Sequence, residues 1–155
     1  MAALEWFEWI DKLRIEVARL DGEIESAYCA AGPHGQQMGS IGGGFGEHDA
    51  LASVDAMLDS DAQRKLEQRK GRLMRLTDRA CDVLYGKSGR GGVSKAIGTD
   101  EADMLCFHYL QGESWADIAR RYDADAKNLS DWAKCRARWT CRQIDRIGID
   151  ELAES

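Results

Sequence analysis

The sequence predicts an all-α protein: an N-terminal antiparallel helical hairpin of the coiled-coil type, followed by a C-terminal trihelical domain containing a helix-turn-helix. Three observations lead to this fold class. Residues 3–28 carry a heptad repeat of apolar side chains, residues 48–85 carry a second, thinner apolar stripe, and residues 112–147 have the pattern of a short helix, a turn and a longer helix. The expected domains are a hairpin over 1–86, a linker over 87–98 and the helix-turn-helix domain over 99–148.

Length and composition favour one or two small helical domains. The chain has 155 residues, of which 44% are hydrophobic and 31% are charged, with a single proline. This balance is typical of helices with solvated faces rather than of a compact α/β enzyme. The N-terminus lacks the basic region of a signal peptide, and no stretch approaches the roughly 20 apolar residues that span a bilayer. We therefore expect a cytoplasmic protein without membrane contact.

The first predicted helix has the clearest periodicity in the chain. Its apolar residues are separated by steps of four, three, four, three and four positions, which is a heptad seam. The seam consists of Trp6, Ile10, Leu13, Val17, Leu20 and Ile24. Such a strip needs another helix to cover it, either from this chain or from a second copy in a homodimer.

A glycine-rich connector separates the first helix from the second. Seven of the fifteen residues in 32–46 are glycine, which disfavours both helix and regular strand. Residues 1–60 contain eleven acidic and three basic residues, whereas residues 61–98 contain four acidic and ten basic residues. The basic second helix is therefore expected to pair with the acidic first one, with contact to nucleic acid as the alternative. Residues 87–98 are predicted to form a basic, glycine-rich linker.

The helix-turn-helix pattern begins at Ser114, whose hydroxyl can cap the first turn of a helix. The predicted core of the motif has the three- and four-residue spacing of one helix face, continued at the start of the second helix. This core consists of Trp115, Ile118, Ala119, Tyr122 and Leu129. In helix-turn-helix proteins the second helix lies in the major groove of DNA.

The second helix divides into an apolar and a basic half at about 100° per residue. The expected apolar half contains Leu129, Trp132, Ala133, Ala137, Trp139, Thr140, Ile144 and Ile147. The other half is mostly cationic, and residues 120–146 contain eight Lys or Arg against four Asp in a chain of net charge −6. A basic helix face in an acidic protein indicates phosphate binding. A solvated surface is the alternative.

The same stretch resembles a known family. Tyr109-Leu110-x-Gly112-x-Ser114-Trp115-x-x-Ile118-Ala119, followed by a turn and Asn128-Leu129, is similar to region 4 of sigma-70-type factors. Within that group it looks most like the small phage and prophage regulators of the ArpU/RinA type. The resemblance implies a transcription regulator that recognises a −35-like promoter element in double-stranded DNA and can also contact RNA polymerase.

Candidate DNA contacts follow from the position of each residue on the two helices. The residues expected to face the bases are Lys127, Asn128, Asp131, Lys134 and Arg138. The residues expected to hold backbone phosphates are Arg120, Arg121 and Arg142. Asn can pair with adenine and Arg with guanine through two hydrogen bonds, which suits both residue types to direct readout.

A second hypothesis makes the helical hairpin the working part. The chain would then be a structural or adaptor protein, or a phage protein of the small-terminase kind, in which the hairpin drives oligomerisation. An enzyme is the least favoured class, because no catalytic set, P-loop or metal-ligand spacing is present. We expect no cofactor, no bound metal and no small-molecule substrate. The five cysteines are expected to be reduced thiols.

Overall fold

The computed structural model describes residues 1–30, 48–122 and 128–155. These residues form helices and turns without any strand, so the all-α prediction is confirmed for this part of the chain. None of the helices within these ranges is long and apolar enough to cross a membrane. In chain order the helices are α1 (Ala3–Ala30), α2 (His48–Tyr85), α3 (Gly92–Ala96), α4 (Thr99–Leu105) with a π-helical turn (Cys106–Leu110), α5 (Trp115–Arg121), α6 (Leu129–Ile147) and α7 (Ile149–Glu154).

The chain divides into two compact units. One contains Met1–Arg14 and Arg72–Ser155, and the other contains Ile15–Gly71, so both α1 and α2 belong partly to each. The expected division at 87–98 falls within the first unit. Helix α2 has the predicted bounds, and α1 extends two residues beyond the predicted end.

The first two turns of α1 lie in the core of the first unit. Phe7 and Ile10 are fully buried there, in one cluster with Leu84 of α2, Tyr109 of the π turn and Ile144 of α6. The heptad pattern identified Ile10 but not Phe7, because α1 is buried on more than one face at its start. The N-terminal and C-terminal parts of the sequence therefore share a single core.

The segment 87–98 was predicted to be a linker, and for its second half this is wrong. Gly92 begins α3, Val93 is fully buried, and the Gly92 backbone N–H donates to the Ser155 hydroxyl at 2.7 Å. Gly92 has φ of +62°, and an added Cβ would lie 2.4 Å from the Val83 carbonyl oxygen. The glycines that resembled a flexible connector instead permit a tight turn against α2.

The second unit pairs the acidic and basic parts of the two long helices. Arg69 forms an ion pair with Glu16, and Lys70 contacts Asp21 at 2.7 Å. These pairs confirm the predicted charge complementarity. Along the heptad seam Val17 is buried, whereas Leu20 and Ile24 are only partly buried. The glycine-rich connector, 32–46, lies outside the described residues.

Candidate nucleic-acid interface

Helix α5 is capped as the sequence predicts. The Ser114 hydroxyl accepts from the Asp117 backbone N–H at 3.2 Å, and Ile118 and Ala119 are fully buried. The other three predicted core residues, Trp115, Tyr122 and Leu129, are half-buried. Helix α5 packs directly against α6, which places the two helices of the predicted motif side by side.

The π-helical turn before α5 carries an aromatic cluster. The Gln111 N–H donates to the Cys106 carbonyl at 3.1 Å, five residues back, and this wider turn accommodates His108. The His108 ring stacks on Trp115 with centroids 3.7 Å apart, and its Nδ1 donates to the Glu113 carbonyl at 2.7 Å. His108 is therefore a half-buried packing residue.

Helix α6 buries one narrow face. Its buried residues are Ala133, Ala137, Thr140, Cys141 and Ile144. The opposite, exposed face runs the length of the helix and consists of Asn128, Asp131, Cys135, Arg138, Trp139, Arg142, Asp145 and Arg146. Trp139 was assigned to the apolar half, and this is wrong, since 47% of its surface is exposed. With Thr140 and Ile144 facing the core, the 100° step turns residue 139 outward.

Three arginines follow one another along the exposed face at intervals of one turn. We call Arg138, Arg142 and Arg146 the arginine row of α6. None of the three forms an ion pair with any residue that the structure describes, although Arg146 donates to the Gln143 side chain at 3.4 Å. Arg146 was not among the predicted contacts, and its spacing of four from Arg142 is the signal that identifies it.

Other arginines of the two helices are engaged by carboxylates. Arg120 pairs with Asp117, and Arg121 contacts Glu113 at 2.6 Å while lying over the Phe107 ring. Arg120 and Arg121 were predicted to hold phosphates, and in the structure each forms an ion pair with a carboxylate of the same chain. They differ in this respect from the arginine row.

The remaining predicted base contacts lie near the start of α6. Asn128 and Asp131 are exposed, whereas Lys127 lies outside the described residues. Lys134 is half-buried and lines a cleft together with residues from the beginning of α1. A hydrogen bond joins α1 to α6 further along α6, where the Asp145 carboxylate accepts from the Ala3 backbone N–H at 2.7 Å.

A cleft of about 300 Å³ separates α1 from α6 within the first unit. We call it the α1–α6 cleft. Its uncharged lining is Leu4, Tyr109 and the stacked pair of His108 and Trp115, and its charged lining is Glu8, Asp11 and Lys12 from α1 with Lys134 and Arg138 from α6. Two of the predicted DNA contacts thus face a cleft whose other wall belongs to the N-terminal helix.

Burial controls the ionisation of two groups in the cleft lining, His108 and Tyr109, and of Cys141 in the core. It lowers the pKa of His108 below 6.5, against the opposing effects of the Glu113 carbonyl and Asp11. Burial also raises the pKa of the Tyr109 hydroxyl, and it raises the pKa of the Cys141 thiol to about 12. At neutral pH the imidazole, the phenol and the thiol are therefore all uncharged.

The described residues contain no group of His, Cys, Asp or Glu side chains arranged to hold a metal ion. The five cysteines are free thiols. Two of them belong to α6, where Cys141 is buried and Cys135 is exposed. Comparison with known protein families, with curated proteins and with solved structures finds no match for this chain.

Proposed function

We propose that this protein is a cytoplasmic, sequence-specific DNA-binding regulator of transcription that places the exposed face of α6 in the major groove. The observation that carries the proposal is the arginine row, whose three cations lack acidic partners in the described part of the chain. Most other arginines near α6 are paired within the fold. The row is therefore free to bind an external anion.

The spacing of the row has an energetic consequence. Like charges at i and i+4 destabilise an isolated helix, and Arg138, Arg142 and Arg146 repeat that spacing twice. The four-residue step advances the charge by about 6 Å along the helix axis. A duplex that runs along the helix would relieve this repulsion and gain from the release of its condensed counterions.

Residues that can read bases lie on the same face. Asn128, at the N-terminal end of α6, offers both a donor and an acceptor, as adenine requires. The Asp131 carboxylate can accept from the amino group of cytosine, and Arg138 can donate to guanine. Trp139 adds an exposed aromatic surface that can contact a thymine methyl group or a sugar.

The similarity of 109–129 to sigma-70 region 4 supports a promoter element as the target and phage or prophage genes as the regulated set. On this proposal RNA polymerase is a second partner. A homodimer can form through the heptad seam of α1, where Leu20 and Ile24 keep part of their apolar surface exposed.

The test begins with selection of bound sequences from a random duplex pool. On the selected duplex, Arg138→Ala with Arg142→Ala should weaken binding more than tenfold and leave the helical circular dichroism unchanged. The matched control is Lys65→Ala with Lys95→Ala, which removes two exposed cations elsewhere and should change affinity by less than threefold. Wild-type affinity of the Arg138 and Arg142 variant, or a pool without enrichment, would reject the proposal.

The second candidate is a structural or adaptor protein of the small-terminase kind. The net charge of −6 favours it, because overall negative charge opposes approach to DNA. It predicts a defined oligomer in solution and no binding to duplex DNA at low salt. Sedimentation equilibrium alongside the pool selection separates the two candidates.

A further inference from the structure

The α1–α6 cleft has an excess of unpaired positive charge. Lys12 of α1 and Lys134 and Arg138 of α6 line it, and none of them has an ion-pair partner among the described residues. Asp11 also lines the cleft, but its carboxylate is held by the Arg14 guanidinium at 2.6 Å. Glu8 is thus the one lining carboxylate without a partner in the described structure. The balance of unpaired charge is three cations against one anion.

A nearly buried tyrosine, with a hydroxyl unpartnered in the described part of the chain, also lines the cleft. Tyr109 is only 5% exposed, and its hydroxyl makes no hydrogen bond within the described residues. Every fully buried side-chain oxygen or nitrogen of the described residues has a hydrogen-bond partner, so this hydroxyl keeps some contact with solvent, and Tyr109 is part of the cleft lining. An O–H group that is ordered by its buried ring and lacks a partner is a ready donor to an oxyanion.

From these observations we propose that the α1–α6 cleft is an oxyanion site that takes a phosphate group. Lys12, Lys134 and Arg138 supply the charge, and the Tyr109 hydroxyl supplies a directed hydrogen bond. His108 contributes no charge at neutral pH, because burial lowers its pKa. The site assigns a role to Lys12, which lies on the N-terminal helix and outside the helix-turn-helix pattern.

The phosphate group has two possible sources. It can belong to the backbone of a duplex bound along α6, since Lys134 and Arg138 also lie on the proposed DNA-binding helix, and this version rests on the proposed function. It can instead be a small free phosphate compound that competes with DNA for the same two cations. The chemistry recognised in the cleft is the same in both versions.

The first measurement is a titration with inorganic phosphate, with chloride adjusted to hold the ionic strength constant, followed through the His108 ring signals by nuclear magnetic resonance. Lys12→Gln removes a cation from an exposed side chain, and Tyr109→Phe removes only the hydroxyl. The matched control is Lys95→Gln on α3. We expect saturable binding that weakens at least fivefold in both cleft variants and remains unchanged in the control.

The second measurement is the salt dependence of binding to the selected duplex. If a DNA phosphate occupies the cleft, Lys12→Gln should reduce the slope of log affinity against log salt by about one. An unchanged slope together with a weakened phosphate titration assigns the site to a free phosphate compound. If the wild type does not bind DNA, the proposed function fails and the phosphate titration alone decides the site. The proposal is overturned if the wild type binds neither phosphate nor duplex, or if Lys12→Gln behaves like the wild type in every measurement that gives binding.

Discussion

His108 illustrates how a single side chain couples packing to charge. Its ring lies between Trp115 and Tyr109, with centroid distances of 3.7 and 4.8 Å, at the edge of the α1–α6 cleft. The groups that act on it are the Glu113 carbonyl, Asp11, Arg14 and Lys134. Burial is the largest effect, so the folded protein favours the neutral imidazole.

This lowered pKa predicts how stability depends on pH. Above the ordinary value of 6.5 the imidazole is neutral in both the folded and the unfolded chain, so its contribution to the free energy of unfolding is fully present. As the pH falls below 6.5 the unfolded chain binds the proton first, and the free energy of unfolding decreases. A direct titration of the ring signals should give a pKa below 6.5. In urea unfolding, the free energy of unfolding of His108→Gln should decrease less than that of the wild type as the pH falls. A ring pKa above 6.5 would contradict the assignment.

Two glycines in neighbouring turns give a second prediction at this scale. Gly92 and Gly89 have φ of +62° and +70°, but only at Gly92 does an added Cβ clash, at 2.4 Å from the Val83 carbonyl oxygen. Gly92→Ala should therefore combine backbone strain with overpacking and lower the free energy of unfolding by about 3 kcal/mol or more. Gly89→Ala meets open space and should cost about 1–2 kcal/mol from strain alone. Equal losses in urea unfolding would show that the turn against α2 is not closely packed.

The sequence predicts individual residues well where one local rule decides their environment. The Ser114 cap and the buried Ile118 and Ala119 follow from local spacing, and all three are confirmed. Lys134 lines the same cleft as residues of α1, which is more than one hundred residues away in the chain. No local pattern contains that information.

At the scale of the helix, α6 shows what periodicity can and cannot determine. The helix wheel correctly separated Ala133, Ala137 and Ile144 from the cationic side. It placed Trp139 with the apolar residues because of its chemistry, although the exposed face is centred closer to Cys135 and Arg142. The elements packed against a helix determine which of its faces is buried, and those contacts decide its rotation.

The proximity of α1 to α6 predicts that an acidic residue weakens DNA binding. Glu8 lies across the α1–α6 cleft from Lys134 and Arg138 and makes no ion pair within the described ranges. Removing its charge with Glu8→Gln should tighten duplex binding about twofold at low salt, the size expected for charges roughly 10 Å apart in water. The effect should vanish at high salt.

The control for this prediction is Glu67→Gln, which removes an exposed carboxylate from α2 in the other unit. Its affinity should equal that of the wild type. If both variants bind more tightly by the same factor, the effect comes from overall charge and not from the cleft.

For the whole molecule, the composition and the helical periodicities were sufficient to predict an all-α fold. They were not sufficient to predict which helices share a core. Phe7, Ile10 and Ala3 of α1 pack with Ile144 of α6 and Leu152 of α7 in the first unit. These contacts link the two ends of the sequence, whereas the expected domains kept them apart.

This shared core predicts that residues 99–155 do not fold alone. Without α1 and the end of α2, the fragment would expose the buried surfaces of Tyr109, Ile144 and Leu152. Thermal unfolding of the fragment should show no cooperative transition. In the full chain, Phe7→Ala should lower the free energy of unfolding by about 3–5 kcal/mol. A cooperative fragment with native-like helix content would show that the C-terminal helices form an independent domain.

The most direct test of the central claim is the salt dependence of duplex binding, measured for the wild type and for Arg138→Gln with Arg142→Gln. If the arginine row binds phosphates or bases, the wild type should lose affinity steeply as salt rises, and the variant should show a slope smaller by about two. A wild-type affinity that does not change with salt, or identical slopes for the two proteins, would contradict the claim that this face of α6 binds DNA.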